Sequence, residues 1–201
     1  MLKDGIPIIY QGQEQHYAGA GVPHNREALW LSGYPTTSEL YGWIAKLNAI
    51  RTWAISRDPS YLSYHAHATY SDSNAIVVRK GHGNFQTIAI FTNAGAASAT
   101  TTHTMASSAT GFTAGQTLVD VLSCSLSTAD ASTGSVTVTL VGGLPRVLYP
   151  LNGLSGSGIC PTLTGPSSTT TTVMPPPSSS SSSLSSLSSV SSLPISTTTS
   201  E

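Results

Sequence analysis

Charge is scarce in this chain: only 8% of its 201 residues are Asp, Glu, Lys or Arg, eight of them basic and nine acidic. With so few cations there is no basic stripe to neutralise phosphates, which excludes nucleic acid as a partner class. No block of like charge suits an anionic membrane surface either. Nowhere do about 18 apolar residues follow one another, so no membrane-spanning helix is expected. The opening Met1-Leu2-Lys3-Asp4-Gly5 lacks the apolar stretch and cleavage site of an export signal. The closing Thr198-Thr199-Ser200-Glu201 lacks the hydrophobic tail of a GPI signal.

Cysteine is nearly absent too. Cys124 and Cys160 are the only pair. In an oxidising compartment a bridge between them would remove roughly 3–4 kcal/mol of unfolded-state entropy. Two reduced, buried thiols satisfy the same spacing. The Ser/Thr-rich tail described below favours the bridge.

What is present divides into three textures. The first covers residues 1–58. Gly5-Ile6-Pro7-Ile8-Ile9-Tyr10 is a short apolar run between glycines and predicts a strand buried on both faces, with Pro7 tolerated near its start. A polar, glycine-rich loop follows to about Pro35. Thr36 and Glu39 then have capping-box spacing. Leu40, Trp43, Ile44, Leu47 and Ala54 recur at helical spacing, with Arg51 interrupting the apolar face. Strand, long loop and helix make half of a β/α repeat, which alone has no partner for its apolar surfaces.

The second texture, residues 59–160, reads as β throughout. Candidate strands are 61–65, 75–80, 85–92, 117–122, 136–141 and 146–149, parted by turns such as Ser71-Asp72-Ser73-Asn74 and Gly81-His82-Gly83-Asn84. Short strands at this spacing predict an antiparallel sandwich of ordinary size. The third texture, residues 161–201, is a Ser/Thr/Pro-rich linker too poor in apolar surface to offset chain entropy, with the composition of an O-glycosylated stalk. Leu184, Leu187, Val190 and Leu193 recur every three residues; a weak amphipathic helix is the alternative there, and the serines between them argue for disorder.

Gly5-Ile6-Pro7-Ile8-Ile9-Tyr10-Gln11-Gly12-Gln13-Glu14 resembles the eighth barrel strand and following loop of the α-amylase family of glycoside hydrolases. The likeness continues through Gln15-His16-Tyr17-Ala18-Gly19, Asn25-Arg26-Glu27-Ala28-Leu29-Trp30 and Leu31-Ser32-Gly33-Tyr34-Pro35. Gly143-Leu144-Pro145-Arg146-Val147-Leu148-Tyr149-Pro150 resembles the closing strand of the family's C-terminal domain. The resemblance runs to about Cys160 and favours the secreted fungal members. It implies a mixed fold: the last strand and helix of a (β/α)8 barrel, then an antiparallel Greek-key β-sandwich, then a disordered tail. Met1 would be an internal residue before strand eight, and the linker would lead in some relatives to a starch-binding domain.

The same resemblance implies the chemistry. Retaining glycosidases set a nucleophilic carboxylate about 5–5.5 Å from a carboxylic acid. The family carries both, and a third stabilising aspartate, on earlier strands, so no catalytic residue is expected here. Of the acidic residues Asp4, Glu14, Glu27, Glu39, Asp58, Asp72, Asp120, Asp130 and Glu201, only Glu14 and Glu27 fall on the loop after a barrel strand. Glu14 reads as a structural acceptor. Arg26 matches a sugar-hydroxyl contact of the family, the alternative being an ion pair to Glu27 or Glu14; Val22 stands where fungal members often carry an acid, which removes a neighbouring sugar contact. Tyr17, Trp30, Tyr34, Tyr64 and Tyr70 are either sugar platforms or core aromatics. His65 and His67 could pair on a metal but have no third ligand near in sequence, so a surface pair is expected.

Calcium belongs to the intact family, with its ligands upstream of this chain. The expected whole is a secreted, monomeric enzyme acting on starch or another α-glucan, of which this chain is an inert part. A non-catalytic secreted sandwich binding polysaccharide or cell wall is the alternative. It would leave Ile6, Ile8, Ile9, Trp43, Ile44 and Leu47 as an exposed patch.

Overall fold

Alternation of apolar and polar residues gives a strand one face for a core and one for its surroundings, and the second region uses this on two sheets. The computed structural model describes residues 2–164. The remainder of the predicted tail, including the 184–193 repeat, lies outside the described residues. Eight strands form: β1 (His67–Ser71), β2 (Ala75–Lys80), β3 (Thr87–Thr92), β4 (Thr101–Met105), β5 (Thr117–Asp120), β6 (Ser125–Thr128), β7 (Val136–Leu140) and β8 (Arg146–Pro150). All their pairings are antiparallel. The order is β1-β2-β3-β8-β5-β6 in a six-stranded sheet and β4-β7 in a two-stranded one, so the chain leaves the larger sheet twice before β8 inserts between β3 and β5.

The larger sheet is covered on both faces. On one, Val77, Ile88, Ile90, Leu118 and Leu148 pack against Met105, Val136, Val138 and Leu140 of the smaller sheet, with Phe112 among them. Thr102, Thr104, Thr137 and Thr139 point away from that core and are exposed. On the other face, Ala89, Val119, Val147 and Tyr149 meet Ile50, Ala54, Tyr61 and Leu154. Ile50 and Ala54 belong to α1 (Glu39–Arg57). The helix therefore shares a core with the sheet, and Trp43, Leu47 and Trp53 close around it half-buried. Trp53 Nε1 donates to the Gly153 carbonyl at 2.7 Å, and Lys46 Nζ to that of Leu122 at 2.5 Å.

The structure corrects several sequence expectations. The cap of α1 is Ser38, whose hydroxyl accepts from Tyr41 N at 3.3 Å. A cap must lie three residues before the amide it serves, and Thr36 sits too early, in the preceding turn. Gly5–Tyr10 forms no strand: Ile6 is 89% and Ile8 85% exposed, because among the described residues no strand lies beside it to satisfy the backbone or cover the side chains. Residues 61–65 are not a strand either. Asp58 caps a short 3-10 helix at Pro59–Tyr61, accepting from Ser60 N at 3.0 Å. An acidic cap followed by proline is a helix start that outweighed the alternating pattern after it.

The first strand falls instead at β1, with a bulge between Ala68 and Tyr70. The strands predicted at 75–80, 85–92, 117–122, 136–141 and 146–149 are present, with ends shifted by no more than two residues. Strands β4 and β6 were not foreseen, because their Thr- and Ser-rich sequences carry few apolar residues. Gly81 turns the chain after β2 at φ 79°, where a Cβ would lie 2.8 Å from the Tyr61 ring.

Cys124 and Cys160 form the disulfide, closing a separation of 36 residues at a Cα–Cα distance of 5.4 Å. Beyond it, α2 (Ser107–Thr110) bridges β4 and β5, and α3 (Pro161–Thr164) is a single turn. Among the described residues no helix is long and apolar enough to cross a membrane.

Candidate substrate-facing loop

The loop between residues 10 and 35 holds the sequence-predicted site residues, and local hydrogen bonds give it its shape. Tyr10 N donates to Gln13 Oε1 at 2.6 Å, and a short 3-10 helix, Gln13–Gln15, follows. Glu14 Oε2 accepts from Gly12 N at 3.1 Å, so this carboxylate serves as the structural acceptor that was expected. Gly12, at φ 89°, lies directly beneath the Tyr17 ring and leaves no room for a Cβ. The Tyr17 hydroxyl donates to the Ala28 carbonyl at 3.2 Å, which ties the two limbs of the loop together.

Three contacts pin the loop to the start of α1. The Ser38 hydroxyl donates to the Glu14 carbonyl. Gln15 Nε2 donates to the Pro35 carbonyl at 3.1 Å, and Leu40 N to His16 Nε2 at 3.3 Å.

Between the limbs lies a cavity of about 360 Å³ lined by Tyr10, Gln11, Gln13, Tyr17, His24 and Glu27, among others. Its wall sets hydroxyl, amide and imidazole groups among a larger share of apolar surface, as small-molecule sites do. Arg26 follows the cis Val22–Pro23 bond, and its amide donates to the Pro23 carbonyl at 3.0 Å. It is exposed, and it pairs with neither Glu14 nor Glu27. The loop thus presents an exposed Arg26 whose sequence neighbours Asn25 and Glu27 line the hollow, while Glu14 is held by the Gly12 amide.

The other predicted residues are dispersed. Trp30 and Tyr34 are 70% and 58% exposed and stand outside the cavity. The Tyr64 ring lies 5.8 Å from both the His67 and His82 rings. The Tyr70 hydroxyl donates to Asp72 Oδ2 at 2.6 Å, which holds the Asp72 carboxyl below the usual range and raises the phenol. His65 Nδ1 is 3.4 Å from Asp4 Oδ2, and β1 begins only at His67, so the two histidines do not share a strand face. Among the described residues no three His, Cys, Asp or Glu side chains gather to hold a cation, and the residues present do not fit calcium.

Two ion pairs, each with one buried partner (Asp120 and Lys80), escaped the sequence reading. Asp120 accepts from Arg146 at 2.9 Å and from Val147 N at 3.1 Å, pinning β8 to β5. Lys80, 1% exposed, donates to Asp4 at 2.7 Å. In each case the signal was a charged residue closing a largely apolar strand run, Lys80 at the end of β2 and Asp120 at the end of β5.

Taken together, fold and loop define a β-sandwich module joined through one helix to a hydrogen-bonded loop that encloses a hollow. The family model for α-amylase, domain C, matches residues 68–169. The chain belongs to the α-amylase family, and these residues carry its domain C. Alpha-amylase 1 of Schwanniomyces occidentalis is 46% identical over 160 residues, covering 80% of this chain and 30% of that protein. Alpha-amylase 1 of Lipomyces kononenkoae is 49% identical over 160 residues, covering 80% of this chain and 25% of its own length. The structure of an α-amylase from Malbranchea cinnamomea superposes with a TM-score of 0.72 at 45% identity, over 79% of this chain and 32% of that one. The chain therefore spans about a third or less of each relative it matches.

Proposed function

We propose that this chain is the final part of an α-amylase whose whole form cleaves internal α-1,4-glucosidic bonds of starch or glycogen with retention. One observation carries the reading: the domain C match over residues 68–169 together with an antiparallel sandwich that superposes on a relative at 45% identity. In this reading residues 1–58 supply the last strand and helix of a (β/α)8 barrel, residues 59–160 the Greek-key sandwich, and residues 161–201 a linker. The exposed Ile6, Ile8 and Ile9 are then barrel residues that meet neighbouring strands in the whole enzyme.

Within the whole enzyme Arg26 reaches a sugar hydroxyl from the loop after strand eight. Its side chain is exposed and ion-paired with neither Glu14 nor Glu27, which supports that role. Glu14, occupied with the Gly12 amide, and Glu27, lining the hollow, do not replace the missing nucleophile and acid, so the 201-residue chain is inert. Secretion, a monomeric state and calcium belong to the whole enzyme, calcium through residues other than those described.

The test pairs two proteins. The purified 201-residue chain, made in a host without amylase, is expected to release no reducing ends from soluble starch, and hydrolysis above the blank would overturn the inert reading. A longer product of the same gene, carrying upstream carboxylates, is expected to hydrolyse starch and to release product of retained anomeric configuration. In that product Arg26→Ala should raise KM for maltooligosaccharides more than it lowers kcat. If no longer product exists and this chain binds insoluble starch or cell-wall glucan, the non-catalytic module takes its place.

A further inference from the structure

The buried Lys80 has a counter-ion that no part of the sandwich supplies. Lys80 ends β2, is 1% exposed, and its Nζ donates to Asp4 Oδ1 at 2.7 Å and to the Tyr64 carbonyl at 2.7 Å. It also lies 5.1 Å from the centre of the Tyr61 ring. Among the described residues Asp4 is the single carboxylate paired with it. Asp4 in turn accepts from Ala66 N at 3.1 and 3.0 Å. The flanking residues dock beside it: Leu2 is 6% exposed within the helix-side core, and Arg51 of α1 donates to the Lys3 carbonyl at 3.4 Å.

We infer that Asp4 is a latch: its carboxylate closes the ion pair of Lys80 and binds the segment before Gly5, helix α1 and the sandwich into one cooperative unit. The inference rests on these contacts and not on the family reading. A buried cation stripped of its partner is far more costly than the pair was favourable, because the ammonium keeps its desolvation penalty and loses the compensation. Opening at Asp4 therefore destabilises β2 from within, and the helix that shares Arg51 with this segment is released first.

The latch has an acid limit. The charged groups facing Asp4 are Lys80 of β2, His65 of the preceding loop and, through the Lys3 carbonyl, Arg51 of α1; the Tyr61 phenol lies behind Lys80. The Lys80 hydrogen bond holds the Asp4 carboxyl below its ordinary value. A carboxylate whose folded value is lowered contributes stability above its unfolded value, near pH 4, and loses it as pH falls through the folded one. The latch is closed at neutral and mildly acid pH and opens below about pH 4.

The 201-residue chain and three variants test this: Asp4→Asn, Lys80→Met, and both together. Urea unfolding is followed by tryptophan fluorescence, which reports the docking of Trp43 and Trp53 on α1, and by the NMR amide signals of β3 and β5, which report the larger sheet. In the parent the two transitions should coincide at pH 6 and separate below pH 4. In Asp4→Asn the fluorescence transition should precede the other already at pH 6, with the helix-released population raised roughly tenfold or more. In the double variant methionine removes the buried charge, so the transitions should coincide again and stay together in acid. An Asp4→Asn that fails to fold beside a double variant that folds supports the latch equally. The latch is overturned if Asp4→Asn leaves both midpoints unchanged, or if the double variant is as split or as unfolded as Asp4→Asn alone.

Discussion

Two stretches of this chain are built from the same apolar residue, isoleucine, and treat it in opposite ways. In β3, Ile88 and Ile90 are 0% exposed, while Ile6 and Ile8, in a run of similar hydrophobicity, are 89% and 85% exposed. Side-chain chemistry does not separate them. Topology does: β3 has hydrogen-bonded neighbours on both sides, β2 and β8, and a facing sheet to cover its side chains. Among the described residues, 6–10 have neither. Burial is a property of the assembly that surrounds a strand, so an apolar run without such neighbours stays at the surface.

The comparison breaks most easily at the centre of the sandwich. Phe112 is wholly buried between the two sheets. Phe112→Ala should lower stability by about 3–5 kcal/mol, read as a fall in urea midpoint at unchanged slope. A loss below about 1 kcal/mol would mean that the space between the sheets collapses freely and that the sandwich core is less tightly packed than it stands here. Next in size is the disulfide. Replacing Cys124 and Cys160 by serine should cost about 2–4 kcal/mol, since the bridge constrains a loop of 36 residues in the unfolded chain.

How much of this contrast was legible in the residues follows the same line. Strands β2 and β7, where apolar residues alternate or run together, were read correctly, β2 at both ends and β7 within one residue. Strands β4 and β6 were invisible because their stability comes from partners: β4 keeps its register by pairing Thr102 with Thr139 and Thr104 with Thr137. The run at residues 5–10 was misread for the converse reason: an apolar run predicts a strand only where neighbours cover it, and Ile6 and Ile8 stay exposed. Of the candidate site, Glu14 as a structural acceptor and the Cys124–Cys160 pair were foreseen. The ion pairs of Lys80 and Asp120 were not, because they join residues 76 and 26 positions apart and only the fold brings them together.

A smaller effect separates the turns of the sandwich from its strands. Asp130 Oδ1 accepts from the Ser132 and Thr133 amides at 3.0 and 2.7 Å and from both hydroxyls at 2.7 and 2.8 Å. The Ser132 hydroxyl bond, first among these, holds the carboxyl far below its ordinary value. Lowering means that the turn contributes stability above the unfolded value, near pH 4, and loses it as pH falls further. Asp130→Asn should therefore be less stable than the parent at pH 6 and should lose less on going from pH 5 to pH 2. Parallel pH profiles would show that the turn is not coupled to unfolding.

The smallest change in stability is expected at the exposed isoleucine. Ile8→Ser removes apolar surface from a side chain that touches no core, so the unfolding midpoint of this chain should move by no more than about 0.5 kcal/mol. The same change should reduce self-association in sedimentation velocity, because Ile6 and Ile8 are the most exposed large apolar side chains among the described residues. In a longer product of the gene, where the proposed barrel would enclose residue 8, Ile8→Ser should instead cost several kcal/mol, as other polar substitutions in cores do. A near-zero effect in both proteins would mean that residues 6–10 are surface in the whole enzyme as well, and the barrel assignment of this segment would fall. A large effect confined to the longer protein would show that isoleucine 8 and isoleucine 88 follow the same rule, each buried once its neighbours are present.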